Sequence, residues 1–220
     1  MVTLGYTEWP VVSSLVKHGL EPGDRIITIV PSKSDARSSA AMQEIRNFLS
    51  KFSPGVALEV LTVDVMKFEQ AVAAVLKRLF NEKREGRNVI VNLSGGMRIL
   101  ILETYTALVL SGAGAAVSEI ITEDKQELVL PSLSTVDLFS LLKKSDVRIL
   151  EAAKNSESVV ALAKTARLPL ATAYRRVVAL ERIGLLTTVK RNRVRTVSLT
   201  ALGRVVLEVF PERREGVVSW

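Results

Sequence analysis

The chain contains no cysteine and one histidine, His18. Disulfides, thiolate metal sites and a cysteine nucleophile are thereby excluded, and a zinc site or catalytic dyad built on histidine lacks the residues it needs. Aromatic residues make up only 5% against 48% hydrophobic residues, so the cores are expected to be aliphatic. The most apolar stretch, Ile99–Val117, is interrupted by Glu103 and by glycines and is too broken to span a bilayer. Met1–Gly5 leads straight into a strand-like run rather than a signal peptide. The expectation is a soluble cytoplasmic protein with no membrane contact, no catalytic residues, no metal and no cofactor.

What the chain does have is unevenly placed charge. Of 220 residues carrying a net +7, residues 145–220 hold 14 Lys and Arg against 7 Asp and Glu, whereas residues 1–144 hold 16 of each sign. All of the excess therefore lies in the last third, where a phosphate backbone would be attracted at long range. At this length two domains are expected, each with a core of its own.

The first 133 residues alternate short apolar runs with helical periods. Val2–Gly5, Arg25–Val30, Ala57–Asp64, Asn88–Leu93, Ala116–Thr122 and Glu127–Leu130 read as strands. Trp9–Leu20, Ala36–Ser50, Phe68–Arg84 and Met97–Ser111 read as helices between them. This alternation predicts an α/β fold, a Rossmann-like and mostly parallel sheet with helices on both faces. A connecting helix is expected over Asp137–Lys144, and helical periods follow at Val147–Lys154, Val159–Ala166 and Ala171–Ile183. Two short strands, Leu185–Lys190 and Arg195–Leu199, and a helix Ala201–Phe210 complete the pattern. The expected division is an α/β domain over 1–134, a linker helix over 135–145, a smaller, mainly helical domain over 146–211 and a loose tail over 212–220.

Within the last third, a helix, the tight turn Arg167-Leu168-Pro169 and a second helix form a helix-turn-helix. In such a motif the second helix enters the major groove. Ala173, Val177, Leu180 and Ile183 make its inward stripe, which leaves Thr172, Tyr174, Arg175 and Arg176 facing outward. Arginine can reach guanine in a bidentate way. Lys190, Arg191, Arg193 and Arg195 crowd a hairpin tip that a phosphate ladder or narrow minor groove would neutralise. The run Leu168-Pro169, Thr172, Arg175-Arg176, Leu180 and Gly184-Leu185-Leu186 resembles the winged-helix family of prokaryotic regulators over Asp146–Phe210. The partner expected for this domain is double-stranded DNA.

In open parallel sheets ligands bind beyond the carboxyl ends of the strands. Three such ends stand out: Gly5-Tyr6-Thr7-Glu8, Pro31-Ser32-Lys33-Ser34, and Asn92-Leu93-Ser94-Gly95-Gly96-Met97-Arg98. Two glycines allow close backbone approach, a starting helix favours an anion, and Arg98 adds a cation. The loop is neither a Walker loop nor a Gly-x-Gly-x-x-Gly fingerprint, and a plain strand-to-helix turn capped by Ser94 remains the competing reading.

Ser94-Gly95-Gly96-Met97-Arg98, with Gly5-x-Thr7 after the first strand and a winged helix behind, resembles archaeal CRISPR-associated regulators. These join a CARF sensor domain to a winged helix. The resemblance implies a homodimer whose sensor domains share a two-fold pocket for a cyclic oligoadenylate, typically the tetra-adenylate. It places Gly5, Thr7, Ser94, Gly95, Gly96, Met97 and Arg98 in that pocket, with Ser32 and Lys33 beside them. A ligand-switched transcription regulator follows as the expectation. Two alternatives stand beside it: a CARF nuclease that cleaves the ring, and a regulator sensing another nucleotide or metabolite.

Overall fold

The computed structural model describes residues 1–33, 35–111, 116–122, 124–130, 139, 141–155, 158–191 and 194–214, the last four of these and 116, 190, 191 and 194 by backbone alone. The chain divides into two compact units, Met1–Val136 and Asp137–Trp220. No described helix is long and apolar enough to cross a membrane.

The first unit is a six-stranded sheet in the order β3-β2-β1-β4-β5-β6. Its strands are β1 (Val2–Thr3), β2 (Arg25–Pro31), β3 (Ala57–Val63), β4 (Val89–Asn92), β5 (Ala116–Ile121) and β6 (Glu127–Leu130). All neighbours run parallel except β6, which returns antiparallel to β5 with Ile120 opposite Leu128. The helices are α1 (Trp9–His18), α2 (Ala36–Phe52), α3 (Phe68–Arg84) and α4 (Arg98–Leu110). The winding turns leftward from β1 to β3 and then crosses over to β4. Right-handed crossovers accordingly set α1 and α2 against one face and α3 and α4 against the other. The switch between the two directions falls between β1 and β4.

Strand residues pointing to opposite faces build two aliphatic layers. Val2, Leu4 and Ile26 pack with Val11 of α1 and with Ala41, Ile45 and Leu49 of α2. Thr3, Ile27 and Ile29 are buried on the alternate positions, and α3 buries Ala71, Val72, Val75, Leu76 and Leu79. At roughly 25 cal/mol per Å² of apolar surface, such side chains contribute about 1.5–3 kcal/mol each.

Of the buried carboxylates in these layers, Glu82 and Glu119 are held by partners. Glu82 on α3 meets Arg78 (2.8 Å) one turn earlier on the same helix, Arg87 (3.5 Å) just beyond its end, and Arg25 (3.2 Å) from the distant β2. Glu119 in β5 accepts from Asn92 (3.1 Å), contacts His18 Nε2 at 2.9 Å and bonds Ser14. Burial opposes its charge, but His18, Ser14 and Asn92 outweigh it and hold the carboxyl below the usual range.

The second unit runs α5 (Lys144–Ala153), α6 (Val159–Thr165), α7 (Leu170–Arg182), β7 (Leu186–Arg191), β8 (Val194–Leu199) and α8 (Ala201–Arg214). β7 and β8 form an antiparallel pair, Arg191 opposite Val194. Three helices followed by a two-stranded hairpin give the winged helix-turn-helix order. Leu150, Leu162, Val177 and Leu180 lie at its centre. Three sequence expectations shift. Ile183 faces solvent, because α7 stops at Arg182 and Gly184 (φ +78°) turns the chain away. α8 continues through Pro211 to Arg214, into the stretch expected to be loose. The connecting helix expected over Asp137–Lys144 does not appear in its described part: residues 139 and 141–143 are turn or irregular, and helix begins only at Lys144 with α5, while 137, 138 and 140 lie outside the described residues.

Glu103, on the inward face of α4 with Leu100, Thr104 and Ala107, has no hydrogen-bond partner on either carboxylate oxygen among the described residues. Burial, with the Asp64 charge behind it, raises its pKa to about 7. The folded protein therefore holds a proton there that the unfolded chain has released, and stability falls as pH rises from about 4.5 to 7. Glu103→Gln is expected to remove that penalty, stabilising the protein by up to about 3 kcal/mol at pH 8 and little at pH 5. Urea unfolding at the two pH values measures it; equal gains at both would contradict the assignment.

Candidate functional site

The carboxyl end of β1 lies at the switch point and is flanked on both sides. On the β4 side the backbones of Gly5, Gly95 and Gly96 are in direct contact. A β-carbon on Gly5 would stand 2.7 Å from the Gly96 nitrogen, and one on Gly95 would stand 2.8 Å from the Thr3 oxygen. Gly96 is further confined by its φ of +98°. These glycines are thus demanded by packing between two strand ends, whatever binds above them.

The β4 loop is tied down by its polar groups. Asn92 Oδ1 accepts from the Ser94 nitrogen at 3.0 Å, and the Ser94 hydroxyl accepts from the Ile121 nitrogen at 2.7 Å. Ser94 consequently pins the loop to β5 and does not cap the helix. Met97 occupies the N-cap position of α4 without a side-chain cap bond, and α4 has no acidic residue in its first turn. Its first amides and the exposed Arg98 are left facing outward beside the glycines.

On the other side, the Arg37 guanidinium lies 3.8 Å from the centre of the Tyr6 ring. This cation–π contact joins the β1 loop to the first turn of α2. Asp35 caps that helix: amide hydrogen bonds from Arg37 and Ser38 and the Arg37 side chain hold its carboxyl below the usual range. The Tyr6–Arg37 pair was not singled out in the sequence; its signal was an aromatic residue between Gly5 and Thr7. Thr7, Ser32 and Lys33 are exposed at the same end of the sheet, and Met97 is half exposed. The structure thus gathers Gly5, Thr7, Ser94, Gly95, Gly96, Met97 and Arg98 around two adjoining strand ends, with Ser32 and Lys33 on the next strand over. A cavity of about 360 Å³ lies at the opposite ends of the strands, lined by Val2, Ile26, Val89 and His18 among others. It is remote from these loops.

In the second unit the candidate cations separate into two kinds. Arg176 Nε lies 3.0 Å from Asp146 Oδ1 and 3.3 Å from the Ser145 hydroxyl, bracing α7 against the start of α5. Asp146 is buried and accepts from the Lys143 nitrogen at 2.8 Å. Arg195 Nη2 lies 3.1 Å from Glu181 Oε2, and its Nε donates to Thr188 at 2.9 Å. Glu181 also accepts from the Thr188 nitrogen and hydroxyl. Both arginines, expected to face DNA, are committed inside the domain. Tyr174 and Arg175 remain exposed, with Thr172 half-buried. Lys190 and Arg191 occupy the last positions of β7, and Arg193 lies outside the described residues.

The glycine contact is open to a direct test. Gly95→Ala is expected to cost about 3 kcal/mol or to prevent folding of the first unit, since backbone opposes the new methyl on two sides. Thermal unfolding followed by circular dichroism would show it; an unshifted midpoint would mean the two loops can part.

No curated protein matches the chain. Among solved structures it is similar to BpsR of Bordetella bronchiseptica, whose DNA binding is regulated by 6-hydroxynicotinic acid (25% identity, TM-score 0.32, 34% of this chain and 58% of that one). It is also similar to the MarR family transcriptional regulator SPO1453 of Silicibacter pomeroyi (29%, 0.30, 34% and 57%) and to FabT of Streptococcus pneumoniae in complex with DNA (21%, 0.32, 37% and 60%). The chain spans a little over half the length of these proteins. A family model described as the Csa3 CRISPR-associated Rossmann-like domain matches residues 1–131, which takes in the whole described sheet and both flanking helix layers. The chain belongs to the family that carries the Csa3 CRISPR-associated Rossmann-like domain.

Proposed function

We propose that this protein is a cytoplasmic CRISPR-associated transcription regulator. It binds promoter or leader DNA through its second unit and senses a cyclic oligoadenylate, the tetra-adenylate, at the strand ends of its first. The observation that carries the DNA reading is the division of labour on α7. One stripe, Ala173, Val177 and Leu180, builds the core, while Tyr174 and Arg175 project from the first two turns into solvent. Arg175 is then the residue of this helix placed to reach a guanine edge, and the wing cations add phosphate contacts.

The sensing reading rests on the uncapped start of α4 beside bare glycine backbone, with Arg98 exposed next to it. Backbone amides and a guanidinium suit phosphodiester oxygens. α4 is apolar around most of its circumference, and Leu102 on its outer side is 56% exposed. That supports a second copy packing across this helix, so that a two-fold ring meets the same loops from both subunits. The one histidine, His18, lines the cavity at the opposite ends of the strands and not these loops, which favours binding over cleavage. Ligand binding would bias the arrangement of the two winged helices through their differing affinity for it.

Cyclic tetra-adenylate is expected to raise the melting temperature of the wild-type protein and to be recovered intact. Arg98→Ala should abolish that shift while leaving ligand-free DNA binding unchanged. Linear fragments released at turnover would establish a nuclease, and the absence of any shift would remove the ring as ligand.

Arg175 and Arg176 are adjacent in sequence but should fail differently. Arg175→Ala is expected to weaken binding of a specific duplex by about 1–3 kcal/mol with unchanged stability. Arg176→Ala strands the buried Asp146 carboxylate and should lower stability by about 3 kcal/mol. Anisotropy titrations paired with urea unfolding distinguish them; identical profiles would contradict the assignment.

A further inference from the structure

The corner between α5 and the turn leading into α7 holds a cleft that the reading above leaves unused. It encloses about 460 Å³ and is lined by Arg148, Glu151 and Ala152 of α5 and by Thr165, Ala166 and Arg167 at the end of α6. Arg148 and Arg167 are exposed, and neither guanidinium is ion-paired among the described residues. With one carboxylate, Glu151, on its wall, the cleft is left net positive.

The backbone of Arg167 supplies the second observation. It closes α6 in the left-handed region, at φ +53°, its nitrogen donating to the Lys164 oxygen (3.1 Å) while Leu168 donates to Ala163 (3.0 Å). Glycine suits such a position because a β-carbon there is strained. At three other helix ends the chain follows that preference: Gly19 after α1, Gly86 after α3 and Gly184 after α7 have φ of +71°, +73° and +78°. The other non-glycine at positive φ among the described residues, Lys125, sits in the turn between β5 and β6. At the end of α6 the chain places an arginine instead. Strain kept at one helix end out of four points to a use for the side chain.

Arg167 stands three residues ahead of Leu170, where the groove-facing helix begins. A duplex strand laid along the first turns of α7 would bring its phosphates to this corner. We propose that Arg148 and Arg167 form a clamp for a backbone phosphodiester of duplex DNA. The clamp rests on the DNA-binding reading above. It adds an anchor independent of base sequence, which fixes how deeply α7 enters the groove.

The test uses the full chain and a 30-base-pair duplex of arbitrary sequence, titrated by fluorescence anisotropy from 50 to 200 mM KCl. Arg167→Gly should weaken binding roughly tenfold at 0.1 M salt and lower the salt slope by about one; adding Arg148→Gln should lower it by about two. Arg167→Lys should keep the slope. The melting temperature of Arg167→Gly should equal or exceed that of the wild type, since glycine relieves the backbone. An unchanged slope in a folded Arg167→Gly protein overturns the clamp, and so does a fall in melting temperature that accompanies the lost affinity. A third arm uses inorganic phosphate at constant ionic strength. Stabilisation of the wild type but not of the variants, with the DNA slope unaltered, would make the cleft a small-anion site and overturn the proposal. A wild type that fails to bind the duplex at 50 mM salt would instead remove the DNA-binding reading itself.

Discussion

At the switch point of the first unit, two strand ends meet backbone against backbone with no room for a single β-carbon. Gly5, Gly95 and Gly96 satisfy that contact, and much of this end of the sheet depends on it. Because the loops touch there, Asn92 and Ser94 can hold the β4 loop between β1 and β5. Because the loop is held, α4 starts abruptly at Arg98 with its first amides uncovered. Tyr6 and Arg37 steady the far side of the same β1 loop. A site made mainly of backbone, with cations at its margin, is the chemical result. It suits a ligand that offers many equivalent anionic oxygens.

Periodicity in the sequence carried the architecture far. The boundaries of α3 and β6 coincide with the periods read from the chain, and most other elements move by one to three residues. The glycine loop and the helix-turn-helix were likewise legible, since glycine and turn residues act locally. What a sequence window does not carry is the identity of distant partners. Glu119 is held by residues 27, 101 and 105 positions away, and Glu82 by Arg25 across 57. Both look from the sequence like surface charges on a strand and a helix.

The same limit explains the basic residues of the second unit. Arg175 and Arg176 are chemically identical neighbours on one helix, and only a 100° rotation about its axis separates their fates. Arg176 turns towards Asp146, a residue that reads as an ordinary first-turn acid of α5. Arg195 falls to Glu181 in the same manner. Surplus charge is thus a property of composition, whereas available charge is a property of the fold. The electrostatic footprint offered to a polyanion is smaller than the residue count suggests.

The Arg195–Glu181–Thr188 link has a mechanical consequence as well. It spans β8, the end of α7 and β7, so the base of the wing is fastened to the helix that precedes it. Helix and wing then turn as one body, and a shift of α7 obliges an equal shift of the hairpin. The two behave like the prongs of one key rather than a pair of separate fingers.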